Sequence, residues 1–314
     1  MQSITSDNWL LEDIKPIFDR AITSLQRCSD KTTSECMEIF RQLPDPPNMQ
    51  LEPHVGQYLV ESGFADLFPY ITRSLQMVAT YIVGDQASTN LHLIKTVYMH
   101  ISQRCPEMCS AFGRNNTIHL LLEDLAAESR YNISGKYKNM YRLEHAELSL
   151  GILHNSIRLN PDNRQIFRET NAVDMLTKYD KSTRVSIRLL SLLCLSYVVE
   201  EDESVKVATS GGTLDFLIGL LKEGLKSECH STILESSEFS VEDLLGGIIS
   251  LARNDKIKSK IIKRDGATIL TNVLSSETST EGEQLLAAQG LWMLSFVEDM
   301  KKKRGSVQRT QCKF

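Results

Sequence analysis

Apolar residues recur at helical spacing along most of the chain. In the segment 143–157 they follow one another at steps of three and four, as on one face of an α-helix: Leu143, Ala146, Leu150, Leu153 and Ile157. The segment 185–197 repeats this spacing. No segment shows the sustained alternation of apolar and polar residues that a half-buried strand would have. The pattern therefore predicts an all-α protein without a sheet.

A short pattern occurs five times, at 61–68, 115–121, 170–176, 211–217 and 265–270. Each copy has a small or turn-forming residue, such as Gly63 or Asn171, followed by paired apolar residues. The last apolar residue of the pattern recurs at intervals of 53, 55, 41 and 53 residues. Because Gly and Asn tolerate the left-handed backbone conformation, we expect each copy to mark a sharp turn from a short helix into the next helix.

Two longer segments resemble the armadillo-repeat family. The segment 153–176, with Leu-His-Asn, Asn-Pro-Asp-Asn-Arg and Asn-Ala in order, is similar to that family's long helix, its connecting turn and the opening of the next repeat. The segment 284–295 resembles the family's last helix in its leucine spacing and its small-residue pair. The resemblance covers residues 53–303 and implies a right-handed α-solenoid of about five degenerate repeats, with insertions at 130–142 and 226–240.

The resemblance also suggests a division of the chain. Residues 1–50 contain two helical patterns without the repeat signature, and we expect them to form an N-terminal helical cap. Residues 51–303 would form the repeat array, whose last repeat is truncated. Residues 304–314 contain too few apolar residues for another helix and are expected to form a disordered basic tail.

In armadillo proteins the third helices of successive repeats line a concave surface that holds an extended peptide, so the resemblance implies a protein or peptide partner. The third helices are expected at about 91–103, 143–159, 183–200, 241–253 and 283–298. The register of the pattern places paired positions in this groove: Gly151 and Asn155, Leu192 and Ser196, Ile249 and Arg253, and Gln289 and Met293. We expect four of these to form a polar ladder: Asn155, Ser196, Arg253 and Gln289. Importin-type armadillo proteins have Trp and Asn at the paired positions, and only Asn155 matches, so the pattern does not favour a nuclear-import receptor.

Composition and charge restrict the class of partner and the compartment. Hydrophobic residues make up 41% of the chain and charged residues 24%, which is ordinary for a folded domain, and the net charge is −5. A mildly acidic chain without a broad basic face does not favour nucleic acid. The longest apolar stretch, 189–199, is too short to span a membrane, and the first residues do not resemble a secretory signal. These features predict a protein of the cytosol, and of the nucleus as a second location, with reduced cysteines.

No catalytic motif is found, so we expect neither enzymatic activity nor a cofactor. Cys105 and Cys109 stand four residues apart, and Cys229 adjoins His230, but a zinc site needs about four ligands in paired spacings. We interpret these cysteines as core or loop thiols and expect no metal site.

The predicted insertion 130–142 interleaves three aromatic residues, Tyr131, Tyr137 and Tyr141, with Arg and Lys. Three interpretations remain open: a polar loop without function, a protein contact, and a nucleic-acid contact. The basic run 301–304 is explained by the negative end of a helix dipole, and a nuclear-import signal is the alternative.

Two functions follow. The first is a non-catalytic scaffold that binds an extended peptide or a partner protein along its groove. The alternative is a regulatory, autoinhibitory or oligomerising armadillo segment of a larger TIR-domain signalling protein. The sequence does not predict the oligomeric state.

Overall fold

The computed structural model describes residues 8–9, 11–26, 50–51, 53–81, 85–130, 136–209, 212–228, 230–234 and 237–297. The chain divides into two compact units, residues 1–175 and residues 176–314. Helices dominate the described part of both units, which confirms the prediction of an all-α protein.

The first unit begins with strand β1 (Asn8–Trp9), which pairs in parallel with β2 (Gln50–Leu51). Its helices are α1 (Leu11–Gln26), α2 (Pro53–Glu61), α3 (Phe64–Tyr81), α4 (Asp85–Gln103), α5 (Pro106–Arg114), α6 (Thr117–Arg130), α7 (Lys136–Leu159) and α8 (Arg164–Glu169). A short 3-10 turn, Pro161–Asn163, leads into α8.

The second unit begins within the helix α9 (Ala172–Tyr179), which crosses the boundary between the units at its middle. Its further helices are α10 (Val185–Val198), α11 (Glu201–Thr209), α12 (Thr213–Gly224), α13 (Val241–Leu251), α14 (Asp255–Lys263), α15 (Gly266–Ser275) and α16 (Glu281–Leu294). Two strands, β3 (Ser231–Leu234) and β4 (Ser237–Ser240), form an antiparallel hairpin between α12 and α13.

From α2 onward the described helices follow one another as a short helix, a second helix and a third helix. The third helices are α4, α7, α10, α13 and α16, and each overlaps the range that the sequence predicts, although α4 and α7 begin earlier, at Asp85 and Lys136. The turn between the short helix and the second helix always contains a residue with positive φ: Gly63, Asn116, Asn171, Gly212 and Asp265. These residues lie in the five copies of the sequence pattern, which confirms that the pattern marks a left-handed turn between two helices.

The core of the first unit is built on stacked aromatic rings. Phe64 of α3 lies 4.6 Å from Tyr98 of α4, centroid to centroid, and the Tyr98 hydroxyl donates a 2.6 Å hydrogen bond to the Phe64 carbonyl. Phe18 of α1 packs edge-on against Phe64 at 4.7 Å. Helix α1 therefore covers α3 through a buried aromatic side chain. The second predicted cap helix and the predicted tail fall on residues 27–49 and 298–314, which lie outside the described residues.

In the second unit, α10 and α13 are buried nearly all round. Leu189 and Leu193 of α10 and Leu244 and Leu245 of α13 have no exposed surface. Side chains of different helices also join at the surface, where Arg264 forms a bidentate ion pair with Asp215 of α12 at 2.6 and 2.8 Å. Both the apolar core and the ion pair therefore hold successive helix triplets together.

The prediction of a chain without a sheet is wrong in two places, at the short β1–β2 pair and at the β3–β4 pair. The predicted insertion 226–240 contains the β3–β4 hairpin, whose Phe239 is buried. The Thr232 hydroxyl donates to the Leu220 carbonyl of α12 at 3.1 Å, so the hairpin is anchored on the second helix of its triplet. None of the described helices is long and apolar enough to cross a membrane.

Candidate partner-binding surface

Neighbouring third helices of the first unit approach each other closely. A Cβ atom placed on Gly151 of α7 would lie 2.7 Å from the Met99 sulfur of α4, so only glycine fits there without movement of Met99. The Asn155 side chain donates to the Met99 carbonyl at 3.0 Å and to the Ser102 hydroxyl at 3.1 Å. Gly151 and Asn155 therefore join two third helices.

Buried polar groups add to this contact between α4 and α7. Lys95, which is 1% exposed, donates to the Ser149 hydroxyl at 2.8 Å and lies 3.6 Å from the Asp124 carboxylate of α6. Burial, followed by the charges of Lys95 and His92, lowers the pKa of His145 to about 3. His145 is therefore neutral at physiological pH, and the positive charge in this contact is that of Lys95.

The third helices of the second unit also approach each other closely at glycine residues. A Cβ atom on Gly247 of α13 would lie 2.5 Å from Leu193 of α10, and one on Gly246 would collide with the Tyr197 hydroxyl. On α16, a Cβ atom on Gly290 would lie 2.9 Å from Leu270 and 3.3 Å from Ile249 of α13. Within each unit, the later helix of each adjacent pair thus presents glycine to a large side chain of the earlier one.

Because the third helices pack so closely, two side chains of the predicted polar ladder are buried. Ser196 is fully buried and donates to the carbonyl of Leu193 in its own helix at 2.7 Å, and Asn155 is 6% exposed. The expectation that these two side chains face an open groove is wrong, because the glycines bring the helices too close together. Arg253 is half-buried, and its Nη1 donates to the Val199 carbonyl at 3.2 Å, whereas Gln289 is exposed.

Gln289 lies in an exposed stripe on α16 that sequence reasoning missed. Leu285 is 61% exposed and Trp292 is 67% exposed, and Phe296, just past the end of the helix, is 57% exposed. The Trp292 and Phe296 rings meet edge to face with centroids 5.0 Å apart, which limits the directions that Trp292 can take. We call Leu285, Gln289, Trp292 and Phe296 the α16 stripe.

The residues of α13 that correspond to the α16 stripe follow from the capping boxes with which both helices begin. Ser240 and Asp243 form a capping box at α13, and Thr280 and Glu283 form one at α16. Each residue of α13 therefore corresponds to the residue 40 positions later in α16. Leu245, Ile249 and Ala252, the equivalents of Leu285, Gln289 and Trp292, are only 0%, 9% and 3% exposed. Ile249 faces Gly290 of α16, so the next third helix covers this face of α13.

The predicted loop 130–142 is wrong from residue 136 onward, because α7 begins at Lys136. Tyr137 and Tyr141 lie on the first two turns of this helix, and Tyr131 lies outside the described residues. A contact through these three tyrosines stays a prediction.

The cysteines in the described part of the chain are buried thiols. Burial raises the pKa of Cys105 to about 12 and also raises the pKa values of Cys109 and Cys194. Cys109 donates to the Ser102 carbonyl at 3.3 Å. Such thiols are poor nucleophiles at neutral pH because the thiolate is rare. Cys229 lies outside the described residues.

His230 links the hairpin to the start of α16. Its Nδ1 lies 3.0 Å from the buried Glu283 carboxylate, and its Nε2 lies 3.0 Å from the Thr278 hydroxyl. Glu283 also accepts from the Thr280 amide at 3.0 Å. The contacts of His230 with Glu283 and Thr278 therefore hold the hairpin against the α16 capping box. Within the described part of the chain, no three His, Cys, Asp or Glu side chains are grouped as metal ligands.

The first unit also contains an open cavity of about 480 Å³ between α2, α5 and the end of α7. Its polar lining includes Glu61, Glu107 and Arg114, and the Arg114 guanidinium donates to the Ser110 hydroxyl of its own helix at 2.6 Å. The lining residues belong to the short helices α2 and α5 and to the end of α7, and none of them lies on the central turns of α4 and α7.

No protein-family model and no curated protein matches this sequence. Among solved structures, an engineered protein, Northeast Structural Genomics Consortium target OR497, is 14% identical with a TM-score of 0.51; the alignment covers 92% of this chain and 62% of that chain. The designed armadillo repeat protein YIII(Dq)4CqI is 14% identical with a TM-score of 0.49, and the alignment covers 88% of this chain and 99% of that chain.

The helix triplets and their left-handed turns give this chain an armadillo-like repeat fold, which belongs to the all-α class of helical solenoids. At 14% identity the likeness to solved structures concerns the fold alone.

Proposed function

We propose that this protein is a non-catalytic interaction scaffold that binds a partner protein or an extended peptide through the third-helix surface of its second unit. The α16 stripe is the observation that carries this proposal. Large apolar side chains exposed side by side on one helix are unusual on a free surface and are typical of binding sites. Trp and Arg are also the residues that most often dominate binding energy at protein interfaces.

The polar groups beside the stripe suit an extended chain. The Gln289 amide both donates and accepts, so it can pair with an exposed backbone N–H or carbonyl of a peptide. Arg253 follows α13, and its hydrogen bond to the Val199 carbonyl restrains the direction of its guanidinium. A restrained guanidinium favours acidic groups on the partner. Arg253 and Gln289 are therefore the members of the predicted ladder that we retain as contact residues, and the buried Asn155 and Ser196 are left out.

Selection of peptides from a displayed library against the intact chain tests this proposal. Trp292→Ala combined with Gln289→Ala should weaken the selected peptides by about tenfold or more, because an aromatic anchor and its neighbouring hydrogen bond are both lost. Ile233→Ala is the matched control, since Ile233 is 73% exposed on the hairpin. Peptides that depend on Ile233 and are indifferent to Trp292 would contradict the proposal.

The same surface is compatible with the second function, a regulatory armadillo segment of a larger TIR-domain protein. In that case the exposed end face of α16 would contact the domain that follows in the longer chain. Reading the genomic sequence downstream of Phe314 tests this: an open frame that continues into alternating strands and helices would support it, and a stop codon would count against it. Under both proposals the protein would act in the cytosol, with the nucleus as a second location.

A further inference from the structure

A row of hydrogen bonds connects a buried carboxylate of the second unit with two hydroxyl groups in the loop before α16. The Glu283 carboxylate lies 3.0 Å from Nδ1 of His230, and Nε2 of His230 lies 3.0 Å from the Thr278 hydroxyl. The Thr278 hydroxyl in turn lies 2.8 Å from the Ser276 hydroxyl. A carboxylate, an imidazole and a hydroxyl in this order are the groups that activate an oxygen nucleophile.

The chemistry of the carboxylate sets the direction of these hydrogen bonds. A carboxylate can only accept, so Nδ1 of His230 carries the ring hydrogen and donates it to Glu283. In the neutral imidazole Nε2 is then an acceptor, and the Thr278 hydroxyl donates to it. The Ser276 hydroxyl completes the row by donating to the Thr278 oxygen. Nε2 of His230 is therefore a base placed on the hydroxyl hydrogen of Thr278.

The backbone holds the His230 ring in place. The His230 amide donates to the Ser227 carbonyl at 3.1 Å, and the His230 carbonyl accepts from the Val241 amide at 2.9 Å. His230 has a φ of 47°, in the left-handed region that a residue other than glycine keeps only when its surroundings hold it there. The base is therefore positioned before any reactant arrives, which lowers the entropy cost of a proton transfer.

Exposure follows the order that a reactive hydroxyl needs. The Glu283 side chain is 3% exposed and the His230 side chain 13%, whereas Thr278 is exposed. The group that orients the base is shielded from water, and the hydroxyl that would react can be reached from solution. Thr271 on α15 provides a contrast, because it is also exposed but its hydroxyl donates to the Ala267 carbonyl at 2.8 Å, which is no base.

We propose that Thr278 is a modification site whose activated hydroxyl accepts an acyl group from an activated acyl ester. The Thr278 oxygen attacks the ester carbonyl carbon and forms a new C–O bond, while its proton passes to Nε2 of His230. The C–O bond to the leaving group then breaks, and the departing alkoxide takes the proton from Nε2. His230 returns to its neutral form, and the products are the acylated threonine and a free alcohol. Glu283 stays ionised and acts as a positioning residue.

Labelling of the full chain with p-nitrophenyl acetate, followed by mass spectrometry of its peptides, tests this proposal. Thr278 should be acetylated about a hundredfold faster than Thr271, because a positioned general base contributes roughly 10²–10⁴-fold. Thr278→Ser keeps a hydroxyl and should retain the fast acetylation at this position, whereas Thr278→Val should lose it. Thr271→Val is the matched control and should leave the rate at Thr278 unchanged.

The role of His230 has its own readout. His230→Ala should reduce the rate at Thr278 to that at Thr271, and imidazole added to the solution should restore part of it, which would not happen if His230 only supported the structure. Thermal unfolding followed by circular dichroism checks that this variant folds. Equal acetylation of Thr278 and Thr271 in the wild-type chain would overturn the proposal, whatever the variants do. The binding of selected peptides through Trp292 is measured separately, so that result would leave the proposed function intact.

Discussion

Helices α13 and α16 begin with the same capping box, yet the same face is buried on one and exposed on the other. Leu245 of α13 and Ala252, just past its end, are almost fully buried, whereas Leu285 and Trp292 of α16, at the equivalent positions, are more than half exposed. Local sequence forms both helices in the same way, and the difference arises from what packs next to them. In a stacked array, the exposure of a third-helix side chain is therefore set by the neighbouring repeat.

The largest expected effect comes from truncating the two equivalent leucines. Leu245→Ala should lower the free energy of unfolding by about 2–5 kcal/mol, because it removes buried apolar surface and leaves a cavity. Leu285→Ala should change it by less than about 0.5 kcal/mol when the chain is dilute. Urea unfolding at low protein concentration measures both. Similar losses for the two variants would show that the face of α16 is covered within the chain itself.

The buried His145 of α7 predicts a dependence of stability on pH. Its pKa of about 3 lies below the ordinary value of 6.5, so the unfolded chain binds the proton more readily than the folded one. The neutral His145 therefore makes its full contribution to the free energy of unfolding above about pH 6.5, and this contribution is lost as the pH falls toward 3. Each unit of pKa shift corresponds to about 1.4 kcal/mol, so the loss amounts to several kcal/mol.

Urea unfolding between pH 7 and pH 4 checks this prediction. His145→Gln should flatten the dependence on pH in this window, even if the variant is less stable overall. An unchanged slope in the variant would mean that other groups cause the acid sensitivity.

A smaller effect is expected from the glycines between third helices. Gly247→Val should cost about 1–3 kcal/mol, because Leu193 must move away from the new side chain. At Gly219 of α12 a Cβ atom would meet no neighbouring side chain within 4 Å, so Gly219→Ala should instead stabilise the helix by about 0.5–1 kcal/mol. Thermal unfolding of the two variants measures the difference. If both were stabilising, close approach would not be the reason for glycine at position 247.

The parts of the fold that depend on local sequence could be predicted. The five turns were found because a left-handed turn needs Gly, Asn or Asp at one position, and the third helices because their apolar spacing is periodic. The groove was predicted less well. Periodicity shows that Asn155 and Ser196 lie on one helix face, but it does not show how closely the next helix approaches, and Gly151, Gly246 and Gly247 decide that distance.

Other features required contacts that are distant in sequence. The β3–β4 hairpin has strands of four residues, too short for a clear alternating pattern. The contact of His230 with Glu283 spans 53 residues. The exposed stripe could have been suspected from Leu285 and Trp292, which lie seven residues apart on the same predicted helix face. The resemblance to an armadillo helix instead predicted Gln289 and Met293 as the groove positions of this helix.

Quenching of Trp292 fluorescence by acrylamide tests most directly whether the α16 stripe is an open binding face. Trp9→Phe leaves Trp292 as the only tryptophan in the chain. In a dilute solution Trp292 should be quenched nearly as well as a free tryptophan derivative, and quenching should fall when a selected peptide is added and covers the face. Strong protection at the lowest concentration, unchanged on further dilution, would show that the chain covers its own stripe and would contradict an open binding face.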